Sequence, residues 1–305
     1  MRIAALDLGS NTSLLLVVDI EKGRITKIVR DELRVTRMGQ GVHQNRTLHP
    51  EALERVDRCF KEYAEIIKAS KVDHVLAMAT SAARDVTNAE ELFKIGHEHG
   101  IEIEIIPGAK EAEITFKGST FEEPKTKGLC VIDVGGGSTE IIGCENGTIL
   151  HGASVDIGSV RLTEMFVKSH PIANADLATM KIYIQKKLQE RGKEIELKNV
   201  KEVIAVAGTP TTLAAVMSAK PYSHEVVHGF KIQLTDLYAW AEKLAKMTVE
   251  DRMALPGMDK KRADVIVAGL LILAETTAHL GRQSIRVSDR GVRFGVALHA
   301  FERFS

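Results

Sequence analysis

Cysteine is scarce: Cys59, Cys130 and Cys144 are the only three in 305 residues, and no two stand close together. The spacing excludes a zinc ligand set, and an odd, sparse count excludes a secreted disulfide framework in favour of a reducing compartment. Net charge is absent as well. Lys plus Arg and Asp plus Glu number 41 each, so no global field draws the chain to nucleic acid or a membrane surface, and neither is an expected partner. A polyanionic ligand would need locally placed cations and backbone amides. No charged-then-apolar leader is evident, because Met1 runs directly into a strand pattern. The most apolar helix candidate, Val265 to Leu280, contains Glu275, Thr276, Thr277 and His279, and it reads as a buried core helix rather than a membrane span. A cytoplasmic protein is the expectation.

What is present is the balance of a globular protein, 44% apolar and 27% charged, in a length suited to two domains. Arg2 to Leu8, Leu14 to Ile20 and Ile25 to Val35 read as strands, the last two separated by a Lys22-Gly23 turn. Pro50 opens a helix with Leu53, Val56, Phe60, Ala64 and Ile67 at helical spacing. His74 to Ala79 is a strand, Ala89 to His99 a helix, Ile101 to Ile106 a strand, and Pro107-Gly108 leads into a helix to about Lys117. The polar stretch Thr120 to Gly128 is the linker candidate. The pattern then restarts, with strands at Leu129 to Val134, Glu140 to Cys144 and Thr148 to Val155, and a turn at Gly147. Helices follow at Val160 to Val167 and Asp176 to Arg191, then a strand at Val203 to Ala207. The remainder is mainly helical apart from Ser284 to Ser288. The expected domains are 1–122 and 123–305, with the last helix packing back on the first.

The restart is a repeated phrase. Ala5-Leu6-Asp7-Leu8-Gly9-Ser10-Asn11-Thr12 and Val131-Ile132-Asp133-Val134-Gly135-Gly136-Gly137-Ser138-Thr139 are each a buried strand ending in Asp-x-Gly, then small hydrogen-bonding residues. Such a repeat suggests two similar domains facing each other across a cleft. Glycine lets backbone N–H groups turn toward an anion, and Ser10, Asn11, Ser138 and Thr139 add side-chain donors. Asp7 and Asp133 stand at the strand ends, where carboxylates beside phosphate make sense around a divalent cation. Read alone, either loop is equally a tight hairpin. A third turn, Gly208-Thr209-Pro210, follows the strand at Val203. Thr209 suits an N-cap and Pro210 the first helical position, so free N–H groups would face the strand end. Neither main loop carries the G-x-x-x-x-G-K-[ST] pattern, which excludes a P-loop enzyme. No Ser-His-Asp or Cys-His nucleophile arrangement is evident, and the histidines are read as showing no H-x-x-x-H or similar ligand spacing and are assigned no chemistry.

The ordered motifs resemble those of the exopolyphosphatase and guanosine pentaphosphate phosphohydrolase family, within the superfamily of actin, sugar kinases and heat-shock ATPases. They are Leu6 to Asn11, Ala79-Thr80-Ser81-Ala82-Ala83-Arg84-Asp85, Gly108-Ala109-Lys110-Glu111-Ala112, Ile132 to Glu140, Gly158-Ser159-Val160-Arg161-Leu162-Thr163-Glu164, Leu255-Pro256-Gly257 with Arg262-Ala263-Asp264, and Val287-Ser288-Asp289. The resemblance covers essentially the whole chain. It implies an α/β fold of two ribonuclease-H-like (actin-like ATPase) domains, with mixed five-stranded sheets flanked by helices and the active site in the interdomain cleft.

It also implies Mg²⁺-assisted hydrolysis of a terminal phosphoanhydride. Glu111 would activate water, Glu140 would be a second acidic partner, Asp7 and Asp133 metal-side carboxylates, and Arg84 a phosphate contact. Gly9, Ser10, Asn11, Gly135, Gly136, Gly137, Ser138, Thr139, Gly208 and Thr209 would bind phosphate. The expected substrate is inorganic polyphosphate. The alternative is the 5′ γ-phosphate of guanosine pentaphosphate (pppGpp), with a superfamily kinase or a non-catalytic sensor further off, and a homodimer is the assembly the family suggests. Taken alone, Glu111 reads as a dipole-stabilised first-turn glutamate, Arg84 as an exposed helix-start arginine, and Arg161 as half of a surface pair with Glu164. Lys260-Lys261-Arg262 reads as a solvated helix face. Two positions depart from the family pattern: Lys110 stands where a second acid is common, a cation able to contact phosphate or lower the pKa of Glu111, and Arg290 and Phe294 replace an aromatic residue and a later glutamate. Many relatives extend beyond the position of Ser305, so short polyphosphate chains are the expected preference.

Overall fold

A computed structural model describes residues 1–123, 128–145, 148–192 and 200–305. Residues 124–127 of the expected linker and the Gly147 turn lie outside the described residues. Two compact units form, one of residues 1–121 with 291–305 and one of residues 122–290.

The first unit is built on β1 (Arg2–Leu8), β2 (Thr12–Glu21), β3 (Arg24–Val35), β4 (His74–Ala79) and β5 (Ile103–Ile105), in the order β3-β2-β1-β4-β5. β1 pairs antiparallel with β2 and parallel with β4, which makes the sheet mixed. β1 is apolar at nearly every position because helices cover both faces. Ala4, Leu6 and Leu8 pack with Leu53, Val56 and Phe60 of the Pro50–Ser70 helix. Ile3 and Ala5 point the other way, toward Ile114 of the Gly108–Thr120 helix and Val296 of the C-terminal Val292–Phe304 helix. The two-residue period of a strand therefore places Asp7 on the face of β1 that the Gly108–Thr120 helix covers.

That helix and the C-terminal helix touch backbone to backbone. A Cβ added at Gly295 would stand 1.9 Å from the Ile114 carbonyl oxygen, and one at Gly118 would stand 2.2 Å from the Gly291 oxygen. This close approach explains why residues 291–305 join the first unit and leave the 123–305 segment. Phe294 is buried there at 2% exposure, its ring 6.0 Å from that of Phe121, so it is a core residue. Gly295→Ala is expected to destabilise the first unit by about 1–3 kcal/mol through overpacking, read as a lower denaturation midpoint at unchanged slope.

The second unit repeats the plan with β6 (Leu129–Val134), β7 (Thr139–Glu145), β8 (Thr148–Val155), β9 (Glu202–Val206), β10 (Lys231–Gln233) and β11 (Ser284–Val287). Their order is β10-β11-β9-β6-β7-β8. Five of these strands match the first sheet in order and direction. The sixth corrects the five-strand expectation: β10 is an antiparallel edge strand on β11, and only its middle residue, Ile232, is buried. Three residues are too few to display an alternation. The Ile266–His279 helix is buried from Ile266 to Thr277, as expected of a core helix. Its Glu275 is satisfied by Tyr238 Oη at 2.9 Å, Gln185 Nε2 at 2.8 Å and Lys181 Nζ at 3.3 Å. Among the described residues no helix is long and apolar enough to cross a membrane. All three cysteines are buried and none forms a disulfide among the described residues, and burial pushes the Cys59 and Cys130 thiols up to about 12.

Candidate functional site

The repeated phrase folds into the same turn twice. Gly9 N–H donates to Thr12 O at 2.9 Å, and Gly135 N–H donates to Ser138 O at 3.0 Å. Each bond closes a turn between antiparallel strands, and each glycine brings its Cα close to the accepting carbonyl, where a Cβ would stand 3.1 Å and 3.0 Å from that oxygen.

In the second unit the direction of the loop amides follows from peptide geometry. The Gly135 carbonyl accepts from Ser159 N–H at 2.9 Å, and the Gly136 carbonyl accepts from Val160 and Arg161 N–H at 2.9 and 3.0 Å. The Gly137 carbonyl accepts from Arg161 Nε at 2.7 Å. These donors all lie at the start of the Ser159–Phe166 helix. A trans peptide sets the next N–H opposite each carbonyl, so the N–H groups of Gly136, Gly137 and Ser138 point away from that helix. Such a row of aligned amides is an anion cradle. Arg161 thus shapes the cradle, which corrects its reading as only a surface partner of Glu164. Gly158 is the pivot: a Cβ there would meet Gly136 C and O and Gly137 N at 2.3–2.4 Å.

Carboxylates flank the cradle. Asp133 and Glu140 face each other across β6 and β7, and directly opposed cross-strand residues have Cβ atoms about 4.5–5.5 Å apart. Both are buried, at 6% and 1% exposure. Ser138 Oγ and Ser154 Oγ donate to Glu140 Oε1 at 2.8 and 2.7 Å. Two buried like charges in one cross-strand pair are costly without a cation. One cation present is Arg262. A Cβ at Gly208 would fall 1.9 Å from Arg262 Cζ, so the absence of a side chain at Gly208 makes room for the guanidinium. Burial pushes the Arg262 pKa down, against the attraction of Asp259 and Asp133. The run at 260–262 is therefore divided: Lys260 and Lys261 are exposed, while the Arg262 side chain is only 11% exposed and turns into the site.

The third turn also differs from expectation. The Gly208–Met217 helix is capped at Ala207, so Thr209 and Pro210 lie inside the first turn and neither is the cap or the first position. Ala207 adopts φ 73° and ψ −170°, a strained conformation for a residue with a Cβ that costs about 1–3 kcal/mol. Ending the strand this way starts the helix earlier, and the N–H groups of Gly208 and Thr209 lie among the first-turn donors that have no intrahelical acceptor.

The first unit supplies a matching set. Ser10 O accepts from Gly39 N–H at 2.7 Å and Asn11 O from Arg37 N–H at 3.0 Å, which turns the Asn11 amide away from the 37–39 segment. Ser10 Oγ and Ser81 Oγ are 2.9 Å apart. Asn11 Nδ2 is buried and has no partner among the described residues, a donor left for an acceptor from outside. Asp7 is 9% exposed. Glu111, in the first turn of its helix, is 6% exposed and accepts from Arg84 Nη1 at 2.7 Å. Burial raises its pKa above the ordinary 4.5, outweighing the downward pull of Arg84. Lys110 has no part in this: its Nζ lies 3.1 Å from both Glu113 carboxylate oxygens, so the expected lowering of Glu111 is replaced by a rise. Arg84 Nη1 also donates to Ile106 O at 2.8 Å, while Nε and Nη2 have no partner among the described residues. Arg84 is a partly buried clamp on Glu111 rather than an exposed helix-start cation. Arg290 pairs with Glu122 in the second unit.

Sequence reasoning passed over two features. Arg262 was hidden in a basic run. His224 and His228 form an H-x-x-x-H spacing and, with Asp289, bring three donor atoms within 4.8 Å of one another, the only such group among the described residues.

The model of the Ppx/GppA phosphatase family matches residues 16–304. Exopolyphosphatase 2 of Mycobacterium tuberculosis is 33% identical over 97% of this chain and 98% of its own length. The Ppx/GppA family member of Aquifex aeolicus superposes with a TM-score of 0.82 at 30% identity, covering 99% of this chain and 98% of that one. An exopolyphosphatase from Cytophaga hutchinsonii gives 0.90 at 29% identity, covering 100% and 99%. With the family model matched over residues 16–304 and relatives aligned along nearly the whole length, the chain belongs to the Ppx/GppA phosphatase family.

Proposed function

We propose that the protein is an exopolyphosphatase, removing the terminal phosphate of inorganic polyphosphate by direct attack of water. The observation that carries this reading is the Gly135–Ser138 loop, whose carbonyls are drawn onto one helix so that its amides present a row of donors. Phosphoryl transfer asks mainly for positioning and charge neutralisation, and this loop, Asn11 Nδ2, Arg84 and Arg262 are donors suited to phosphate oxygens. Glu111 takes the proton from water as the water oxygen bonds to the terminal phosphorus and the bridging P–O bond breaks, leaving a chain one phosphate shorter. Glu140, which accepts from two serine hydroxyls, is held in place and is not assigned the proton transfer.

The oxygen-only chemistry of Asp133 and Glu140, a buried cross-strand pair of the second unit, fits Mg²⁺, which binds through one or two carboxylates, waters and substrate phosphates and needs no preformed protein cage. When bound, Mg²⁺ supplies charge neutralisation on the phosphate oxygens. The test is phosphate release with Mg²⁺ from short polyphosphate, long polyphosphate, pppGpp and ATP in parallel, with no acceptor added. Polyphosphate is expected to be hydrolysed fastest, and excess EDTA to abolish release. Preference for pppGpp would replace the substrate and keep the chemistry. No release from any of the four, with ATP turned over only once an acceptor is supplied, would mean a kinase, and full activity in EDTA would remove the metal.

A further inference from the structure

His224, His228 and Asp289 take no part in the chemistry above. His228 N–H donates to His224 O at 2.8 Å, so the two residues are one helical turn apart and their rings leave the same side. The rings stack, with centroids 4.7 Å apart and planes at 27°. Asp289 follows β11 and lies between them in chemistry: His224 Nδ1 is 2.9 Å from Oδ2, and His228 Nδ1 is 2.9 Å from Oδ1. Tyr222 Oη donates to Oδ2 at 3.4 Å. The carboxylate side is closed and the histidine side open, with side-chain exposures of 9% for Asp289, 27% for His228 and 47% for His224.

We propose that His224, His228 and Asp289 bind a divalent first-row transition ion, of the kind exemplified by Zn²⁺ or Ni²⁺. Two imidazole nitrogens and one carboxylate favour such an ion over Mg²⁺, which seeks oxygen ligands throughout. Three protein ligands leave a coordination position open to water or to an anionic group. Binding replaces the two Nδ1–H···O bridges by bonds from Nδ1 and the carboxylate to the ion, with each neutral ring carrying its one proton on Nε2. The ligands come from the short His224–Val227 helix with its C-cap and from the residue that follows Ser288, itself tied to β9 through Ser288 N–H to Ala205 O at 2.9 Å. The ion therefore staples that helix to the strand-end edge of the second sheet. Residues more than sixty positions apart in sequence converge there only in the folded chain, so the ion stabilises the fold when it binds.

The experiment is calorimetric titration of Zn²⁺ and of Ni²⁺ into the full chain in buffer with excess Mg²⁺, paired with thermal unfolding. The expected result is one saturable site and a rise in Tm. His224→Ala and His228→Ala each weaken the affinity by about 100-fold, as loss of one of three strong ligands requires. His224 is half exposed, so its alanine variant keeps the fold, which circular dichroism verifies. No saturable binding of either ion to the wild type, or equal binding by the wild type and both variants, overturns the site.

Discussion

Glu111→Gln lowers phosphate release by about 10²–10⁴-fold while leaving substrate binding close to that of the wild type, the loss expected for a missing general base. The amide keeps the shape of the side chain and a carbonyl oxygen for Arg84 Nη1, which is fixed independently by Ile106 O. Its effect therefore falls on kcat, with KM little changed. The same variant tests the electrostatics. Burial raises the folded pKa of Glu111 above 4.5, so its ionisation works against the fold. The favourable contribution of the protonated group is fully present below the unfolded pKa and is lost as pH rises through the folded one. Glutamine does not ionise. Across a pH series of thermal unfolding, the Tm of Glu111→Gln minus that of the wild type is expected to shift in favour of the variant as pH rises through that window. A difference independent of pH would show that Glu111 does not titrate with a raised pKa, and unchanged turnover would remove it from catalysis.

Gly158→Ala is expected to damage both the fold and the activity, although residue 158 carries no functional group. Its added Cβ would meet backbone atoms of Gly136 and Gly137 at 2.3–2.4 Å, and backbone cannot swing aside as a side-chain tip can. Overpacking of this kind costs about 1–3 kcal/mol. Relief by displacing the glycine loop misplaces the amide row, and a 1 Å error at a reacting group costs about 10²-fold in rate. Chemical denaturation and steady-state kinetics on the one variant check the two halves. Wild-type turnover in a stably folded Gly158→Ala protein would contradict the role given to the loop.

The two β-α repeats were legible because the signal is local. β1 and β6 are apolar on both faces, each ends in Asp-x-Gly, and each has an antiparallel neighbour next in sequence. Residues whose roles depend on distant contacts were less legible. Lys260, Lys261 and Arg262 look alike in sequence, and only the missing side chain at Gly208 distinguishes the one that turns inward. Thr209 has the chemistry of an N-cap, but the positive φ of Ala207 starts the helix before it. Lys110 sits beside Glu111 in sequence, yet helix geometry directs it to Glu113, three residues on. The H-x-x-x-H spacing at His224 stands in the sequence, against the reading that the histidines show none, and its proposed third ligand, Asp289, is 65 positions away from the first.

Hydrolysis by the activated water puts the water oxygen on the terminal phosphorus and breaks the bridging P–O bond on that side. A single turnover of short polyphosphate in H₂¹⁸O, with the released orthophosphate analysed by mass, tests it. One ¹⁸O atom in the released orthophosphate, and none in the remaining chain, is the predicted result. Label on the new end of the shortened chain, or unlabelled orthophosphate, would contradict it.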